Sequence, residues 1–159
     1  PSRWRGQIKS LFRMSVVQRV SMLSPCSVMV ARETPGRDGY LICHDGSEHS
    51  MDAVQRTAIL AQHCGKTITL MGVARVEEDR DLVNAQLATA RANLDRIGIP
   101  TAAVICEIGD PVQRIIEVGK NFELTTVSEY GISRLRRLFG GSVAFEVIGG
   151  ATSSVLDVK

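Results

Sequence analysis

Short apolar runs alternate with segments of helical periodicity along most of the chain. Residues 40–43 form an apolar run that predicts a buried strand, and residues 48–64 carry apolar side chains at helical spacing. Residues 67–74 are rich in Thr, Ile, Leu and Val, which favours a strand. Residues 79–97 have apolar positions separated by four and three residues, which predicts a long helix.

The alternation continues to the end of the chain. It predicts strands at 101–106, 124–127 and 153–158, and helices that begin at Asp110 and near Ser142. Strands that alternate with helices predict a parallel sheet covered by helices on both faces. The predicted fold class is therefore α/β, with a doubly wound five-stranded sheet. Such sheets bind ligands at the carboxyl ends of the strands, where the winding reverses.

The two ends of the chain match when the sequence is shifted by 127 residues. The shift superimposes Leu11-Phe12 on Leu138-Phe139, Ser15-Val16 on Ser142-Val143, Val20 on Val147 and Ser27-Val28 on Ser154-Val155. We interpret residues 1–32 as the last helix and strand of an earlier, incomplete copy of the domain at 40–159. Residues 33–39 contain two glycines and a proline, which is typical of a linker.

The apolar residues of segment 26–31 predict a strand that needs a partner, because exposed backbone groups and apolar side chains are costly. The predicted partner is the last strand, 153–158, in the same chain or in another copy. The first copy carries Met14-Ser15 where the second has Gly141-Ser142, so only the second copy is expected to bind a phosphate.

Composition narrows the class of protein. Apolar residues make up 44% and charged residues 23% of the chain, as in soluble globular proteins. The net charge of +2 and the 4% of aromatic residues argue against a nucleic-acid partner, and no apolar run is long enough to cross a membrane. The four cysteines form no Cys-x-x-Cys pair, so we expect a reducing, cytoplasmic location and no metal site.

Two loops follow predicted strands at the edge where a ligand is expected. Asp45-Gly46-Ser47 follows the first strand of the complete copy, and Ser128 to Ser142 follows the fourth. Gly141-Ser142 opens a helix, whose free N–H groups attract anions. From spacing alone, phosphate binding and a tight structural turn are equally open. Asp45 is likewise open to a role as a turn former or helix cap.

Several catalytic and cofactor motifs are absent. The chain has no Gly-x-x-x-x-Gly-Lys-Ser/Thr phosphate loop, no Gly-x-Gly-x-x-Gly after the first strand and no Gly-x-Ser-x-Gly elbow. We expect a protein that is not an enzyme, with slow nucleotide hydrolysis left open.

The segments LICHDGSEHSMDAV and GISRLRRLFGGSVAFEVI resemble those of the universal stress protein family, and the resemblance covers residues 40–159. It implies the adenine nucleotide alpha hydrolase-like fold, with strand order 3-2-1-4-5. Nucleotide-binding members carry Gly, two residues, Gly, nine residues, then Gly and Ser or Thr. Gly131 and Gly141-Ser142 match this pattern, and Ser128 replaces the first glycine.

The resemblance implies a site for ATP or a related adenine nucleotide, with or without magnesium. Adenine is expected near Cys43, His44 and Val73, with Val127 and Ser128 close by. The ribose and phosphates are expected along Tyr130, Gly131, Gly141, Ser142, Val143 and Ala144, with Asp45 beside them.

The leading hypothesis is a regulatory stress-response protein that acts through nucleotide binding and forms a homodimer through its final strands, at 26–31 and 153–158. The alternative is a degenerate module that binds no nucleotide and serves dimerisation or scaffolding. A third hypothesis is a slow nucleotide hydrolase with a metal near Asp45.

Overall fold

The computed structural model describes residues 15–128 and 143–159. The strands are β1 (Val28–Val30), β2 (Tyr40–Cys43), β3 (Ile68–Ala74), β4 (Ala103–Ile108), β5 (Leu124–Ser128) and β6 (Ser154–Val158). The helices are α1 (Val16–Leu23), α2 (Glu48–His63), α3 (Arg80–Arg96), α4 (Pro111–Gly119) and α5 (Val143–Gly150), with a short 3-10 turn at Glu77–Asp79.

The strands form one sheet in the order β1-β6-β5-β2-β3-β4. Strands β2 to β6 pair in parallel, and β1 pairs with β6 antiparallel. Counted from β2, the order of the five parallel strands is 3-2-1-4-5, which confirms the predicted fold class. Because β2 lies between β3 and β5, the winding reverses at its carboxyl end.

Local capping explains where the helices begin. The Ser47 hydroxyl accepts a hydrogen bond from the backbone N–H of Ser50 and so opens α2 directly after β2. Asp110 caps α4 in the same way, with Pro111 at its first position. In α1, Ser15 and Gln18 form a capping box. The caps of α2 and α4 fix the starts of these helices close to the carboxyl ends of β2 and β4, which precede them.

The core has two halves, one on each face of the sheet. Alternate residues of β2 point to opposite faces, so Leu41 and Ile42 are both fully buried. Ile42 packs with residues of α2 and α3, including Val54 and Leu87. Leu41 packs with residues of α4 and α5, including Val147. Coverage on both faces explains why β2 is a continuous apolar run.

The N-terminal strand pairs with the last strand of the same chain. Val28 lies opposite Asp157, Met29 opposite Leu156 and Val30 opposite Val155. The pairing predicted between segments 26–31 and 153–158 is therefore confirmed in its within-chain form. The homodimer remains a prediction.

The contacts between the two matching segments are reciprocal. The Arg32 backbone N–H donates to Ser154 Oγ at 3.0 Å, and the Lys159 backbone N–H donates to Ser27 Oγ at 3.2 Å. Arg32 and Lys159 are equivalent under the shift of 127, as are Ser27 and Ser154. Exchange of equivalent residues between two contacts is the property of a twofold interface. A local twofold axis therefore relates α1–β1 to α5–β6.

One sequence expectation needs correction. Strand β4 spans Ala103–Ile108 rather than 101–106, because its pairing with β3 runs from Thr69–Ala103 to Ala74–Ile108. None of the helices in the described ranges combines the length and apolar character that a bilayer crossing requires.

Candidate functional site

A pocket of about 250 Å³ opens at the carboxyl ends of β2, β3 and β5. The predicted site residues that line it are Cys43, His44, Asp45, Val73, Val127, Ser128, Val143 and Ala144. The structure thus brings together residues from four separate elements at the point where the winding reverses. Tyr130, Gly131, Gly141 and Ser142 lie outside the described residues, and the contact of every one of these residues with a ligand stays a prediction.

His44 forms the buried wall of the pocket, with 5% of its surface exposed. Its backbone N–H donates to the Met71 carbonyl at 2.8 Å and extends the parallel ladder of β2 and β3 by one residue. Its Nδ1 lies 2.8 Å from the Ser50 hydroxyl oxygen. Burial lowers the pKa of His44 and outweighs the neighbouring Asp45 carboxylate, which acts in the opposite direction. The imidazole is therefore neutral at pH 7.

The hydrogen bonds of Ser50 favour one tautomer of this neutral ring. The Ser50 hydroxyl lies 2.9 Å from the Ser47 carbonyl, to which it can donate. If it does, Nδ1–H of His44 donates to Ser50 Oγ, and both contacts are satisfied by one proton each. That arrangement leaves Nε2 as a hydrogen-bond acceptor. The wall of the pocket then carries an acceptor rather than a charge.

Asp45 lies at the exposed side of the pocket, where β2 turns into α2. Its Oδ1 accepts hydrogen bonds from the Ser47 backbone N–H at 3.0 Å and from the Ser47 hydroxyl at 2.6 Å. Desolvation by the surrounding protein acts to raise the pKa of Asp45, but Ser47, Ser50 and His44 together hold it below its ordinary value. Asp45 is thus a turn former and also an anion at the pocket. The two interpretations of this residue are compatible.

Cys43 lines the pocket as a neutral side chain. Burial, aided by the charge of Asp45, raises the pKa of the Cys43 thiol to about 12. The thiolate is the nucleophilic form of cysteine, and it is scarce at physiological pH when the pKa is so high. Cys43 therefore contributes shape and an apolar surface rather than covalent chemistry.

Sequence reasoning missed three polar residues of the pocket: Ser50, which contacts His44, and also Arg75 and Gln86. Arg75 follows β3 directly and is exposed, and in the part of the chain that the structure describes it forms no ion pair. Gln86 lies in α3 between the buried residues Val83 and Leu87. A glutamine within the apolar stripe of a helix was the available signal, and no motif marks Arg75.

Gly72 determines how closely α3 approaches the pocket. A Cβ at Gly72 would lie 2.6 Å from Cγ1 of Val83, closer than side-chain atoms pack. The absence of a side chain therefore lets α3 lie against β3 and brings Gln86 to the pocket wall. Between residues 15 and 128 and from 143 onward, no group of three or more His, Cys, Asp or Glu is placed to hold a metal ion.

Comparison with solved structures identifies the fold. A universal stress protein crystallised with cAMP superimposes with a TM-score of 0.66 at 23% identity, over 77% of this chain and 96% of the other. A universal stress protein of Archaeoglobus fulgidus in complex with dAMP gives 0.63 at 17% identity, over 77% and 98%. Another universal stress protein, from Archaeoglobus fulgidus DSM 4304, gives 0.75 at 19% identity, over 96% of this chain and 56% of the other.

Comparison with protein families identifies the relationship. No curated protein matches the chain significantly. The sequence model of the universal stress protein family matches residues 40–159, which is the whole segment from β2 to the end. That match spans most of the chain, and the strand order agrees with it. The chain belongs to the universal stress protein family.

Proposed function

We propose that this protein is a cytoplasmic regulatory protein of the stress response that binds ATP or a related adenine nucleotide. The observation that carries the proposal is the pocket at the carboxyl ends of β2, β3 and β5, which gathers every predicted site residue that the structure describes. The solved relatives in complex with cAMP and dAMP support an adenine nucleotide as its ligand. The pocket volume of about 250 Å³ fits part of a nucleotide, with the remainder extending to solvent.

The charges around the pocket indicate how the ligand is oriented. Helix α5 begins at Val143, on the pocket wall, and the free N–H groups of a helix start favour a phosphate. Arg75, which follows β3, lies on the opposite side of the pocket, so the orientation proposed here rests on the helix start and on Asp45. Asp45 is suited to accept hydrogen bonds from ribose hydroxyls, since a phosphate would repel its carboxylate. Magnesium would then accompany the phosphates of ATP toward solvent.

The apolar wall suits a base. Cys43 and Val73 offer neutral, half-buried surface, and the buried His44 offers a neutral ring. We propose binding without turnover, because the thiol is protonated and His44 is held by Ser50. Regulation would follow from a change in the shape or partner affinity of the protein when nucleotide binds.

We also propose that residues 1–32 derive from the end of a preceding copy of the domain. The reciprocal contacts of α1–β1 with α5–β6 support this. The universal stress protein from Archaeoglobus fulgidus DSM 4304 supports it too, because 96% of this chain, including α1 and β1, superimposes on 56% of that longer chain. The β1–β6 pairing that closes within one chain could also be exchanged between two chains. A homodimer formed through segments 26–31 and 153–158 would use that exchange.

Calorimetric titration of the full chain with ATP and magnesium tests the nucleotide site. Val143→Trp places a large ring on the pocket wall and should abolish binding. Val104→Trp is the matched control, because Val104 lies on the edge strand β4 with 39% of its surface exposed. Binding by the parent and the control, with loss in Val143→Trp, is the expected result.

Failure of the parent to bind ATP, AMP or cAMP would favour the degenerate module that serves dimerisation or scaffolding. Phosphate release that Asp45→Ala abolishes would instead favour a slow hydrolase. If Val143→Trp still binds nucleotide, the ligand does not bind in this pocket.

A further inference from the structure

Gln86 is a polar residue at an apolar position of α3. The inner face of this helix carries Val83, Leu87, Ala90 and Leu94, and all four are buried. Gln86 is one residue from Leu87 and three from Val83, so it shares the edge of this face. Buried or half-buried amide groups normally have hydrogen-bond partners. Among residues 15–128 and 143–159, the side-chain amide of Gln86 has none.

The absence of side chains at two glycines leaves room for the Gln86 amide at the pocket. Gly72 lets α3 approach β3, because a Cβ there would collide with Val83. Gly46, with φ of +82°, lies directly beneath Gln86, and a Cβ there would overlap the Gln86 amide nitrogen. The amide therefore packs over the backbone of the turn that carries Asp45. Gln86 also lines the pocket, so donors and an acceptor that have no partner among the described residues face the space where a ligand would lie.

The order of the strands indicates which part of a nucleotide reaches Gln86. The helix start that favours phosphate belongs to α5, which follows β5, whereas α3 follows β3. Strands β5 and β3 lie on opposite sides of β2, which separates them by about 10 Å at the usual spacing of about 4.8 Å per strand. A nucleotide with its phosphates at α5 thus directs its far end, the base, toward α3.

We propose that Gln86 selects the base of the bound nucleotide by pairing its side-chain amide with the edge of adenine that carries N1 and the N6 amino group. The amide N–H donates to N1, and the amide carbonyl accepts from the N6 amino group. This assignment rests on the proposed nucleotide-binding function and adds to it the residue that reads the base. A glutamine amide makes the same kind of paired contact with adenine in nucleic-acid recognition, although there on the N6 and N7 edge.

Gln86→Glu tests the assignment with a change of one atom type. A carboxylate has no N–H for adenine N1, but it accepts from both N1–H and the N2 amino group of guanine. Titrations of the full chain with ATP and with GTP should therefore show the ratio of their affinities shifting toward GTP by about tenfold or more. Asn84→Asp is the matched control, because it adds the same charge on the exposed side of α3 and should leave the ratio unchanged.

A second variant separates base contact from a packing role. Gln86→Met keeps the length of the side chain over Gly46 but removes both hydrogen bonds. It should weaken ATP binding by about tenfold and leave the binding of ribose 5-phosphate unchanged. Equal loss for ATP and ribose 5-phosphate would show that Gln86 supports the turn or contacts the ribose, and would overturn the assignment.

The two proposals can fail separately. If the parent binds ATP and Gln86→Glu leaves the ratio of ATP to GTP affinity unchanged, only the assignment to Gln86 is wrong. If the parent binds neither nucleotide, the proposed function fails and the assignment fails with it.

Discussion

Helices α1 and α5, with the strands that follow them, share residues at several equivalent positions but have very different surroundings. Helix α1 spans Val16–Leu23 and α5 spans Val143–Gly150, so both bounds agree under the shift of 127. Val20 of α1 has 52% of its surface exposed, whereas its equivalent in α5, Val147, is fully buried. The two segments share valine at two equivalent helix positions and form helices with equivalent bounds. Only in the second place does a sheet of its own lie beneath the helix.

The difference shows that local structure and burial have separate causes in this protein. A cap and helical spacing fix the bounds of α1 even though its apolar residues Val16, Val20 and Leu23 are exposed. Helices of this length are marginal in isolation, so packing must stabilise α1. That packing comes from α5 and from the β1–β6 pair, across the local twofold axis. Four predictions test how far the surroundings of these two segments differ.

The largest difference is expected between Val147→Asp and Val20→Asp. An aspartate at position 147 would bury an unpaired charge, so we expect a loss of about 4 kcal/mol or more in the free energy of unfolding. At position 20 the side chain reaches solvent, and the change should be within about 0.5 kcal/mol. Urea unfolding followed by circular dichroism measures both. Similar losses at the two positions would contradict the assignment of α1 as an exposed copy.

The next effect concerns the polar contact that joins α1 to β6. Ser21 and Asp157 are buried, with 2% and 1% exposed, and the Ser21 hydroxyl donates to Oδ2 of Asp157, which also pairs with Lys159 at 2.8 Å. Its Oδ1 has no partner among the described residues. Ser21→Ala removes a donor from a buried carboxylate and should cost about 1–3 kcal/mol in the same unfolding assay. Ser24→Ala, in the turn after α1, is the control, and an equal loss there would show that Ser21 has no special role.

A smaller effect should separate the two reciprocal serine contacts. Ser154 is half-buried and accepts the Arg32 backbone N–H, whereas Ser27 is exposed and accepts that of Lys159. Ser154→Ala should cost about 1 kcal/mol of unfolding free energy, and Ser27→Ala about 0.5 kcal/mol or less, because water replaces the lost partner at the exposed site. The ratio of the two losses measures how far the environment departs from twofold symmetry. A larger loss for Ser27→Ala would reverse the comparison.

The smallest effect concerns pH and only the complete domain, since residues 15–32 contain no histidine. The pKa of His44 is lowered by burial, so the unfolded chain takes up a proton before the folded one does. Stability should therefore fall as pH drops below about 6.5, the ordinary value for histidine, toward the folded pKa. His44→Gln should lose less stability between pH 7.5 and 5.5 than the parent does. An unchanged slope in His44→Gln would contradict the assignment.

Most of the fold could be predicted because each element carries a local signal. Alternating apolar runs indicated the strands, and the cap at Asp110 indicated where α4 begins. The strand order and the site residues came from the family resemblance. Cys43 and Val127 lie far apart in sequence. Both line the pocket because β2 and β5 pair in parallel, which places the ends of these two strands side by side.

The missed residues depend on packing between distant elements. Gln86 reaches the pocket because Gly72 and Gly46 leave room for α3. Neither glycine forms a sequence motif with residues of α3, so the contact could not be predicted. Arg75 reaches it because β3 ends at Ala74, one residue earlier. The exposure of Val20 was equally hidden, because its spacing is that of a buried helix. In each case the position of the residue depends on contacts with elements distant in sequence, which the local hydrophobic pattern does not indicate.

Pairing of β1 with β6 inside one chain also changes how the sheet edge responds to concentration. Nine residues, 31–39, join β1 to β2, so β1 is never far from its partner strand. A short tether of this kind holds its ends at an effective concentration in the millimolar range. An edge covered by a second chain would become exposed whenever the protein is scarce. In the within-chain form of the β1–β6 pair, the cover does not depend on the amount of protein in the cell.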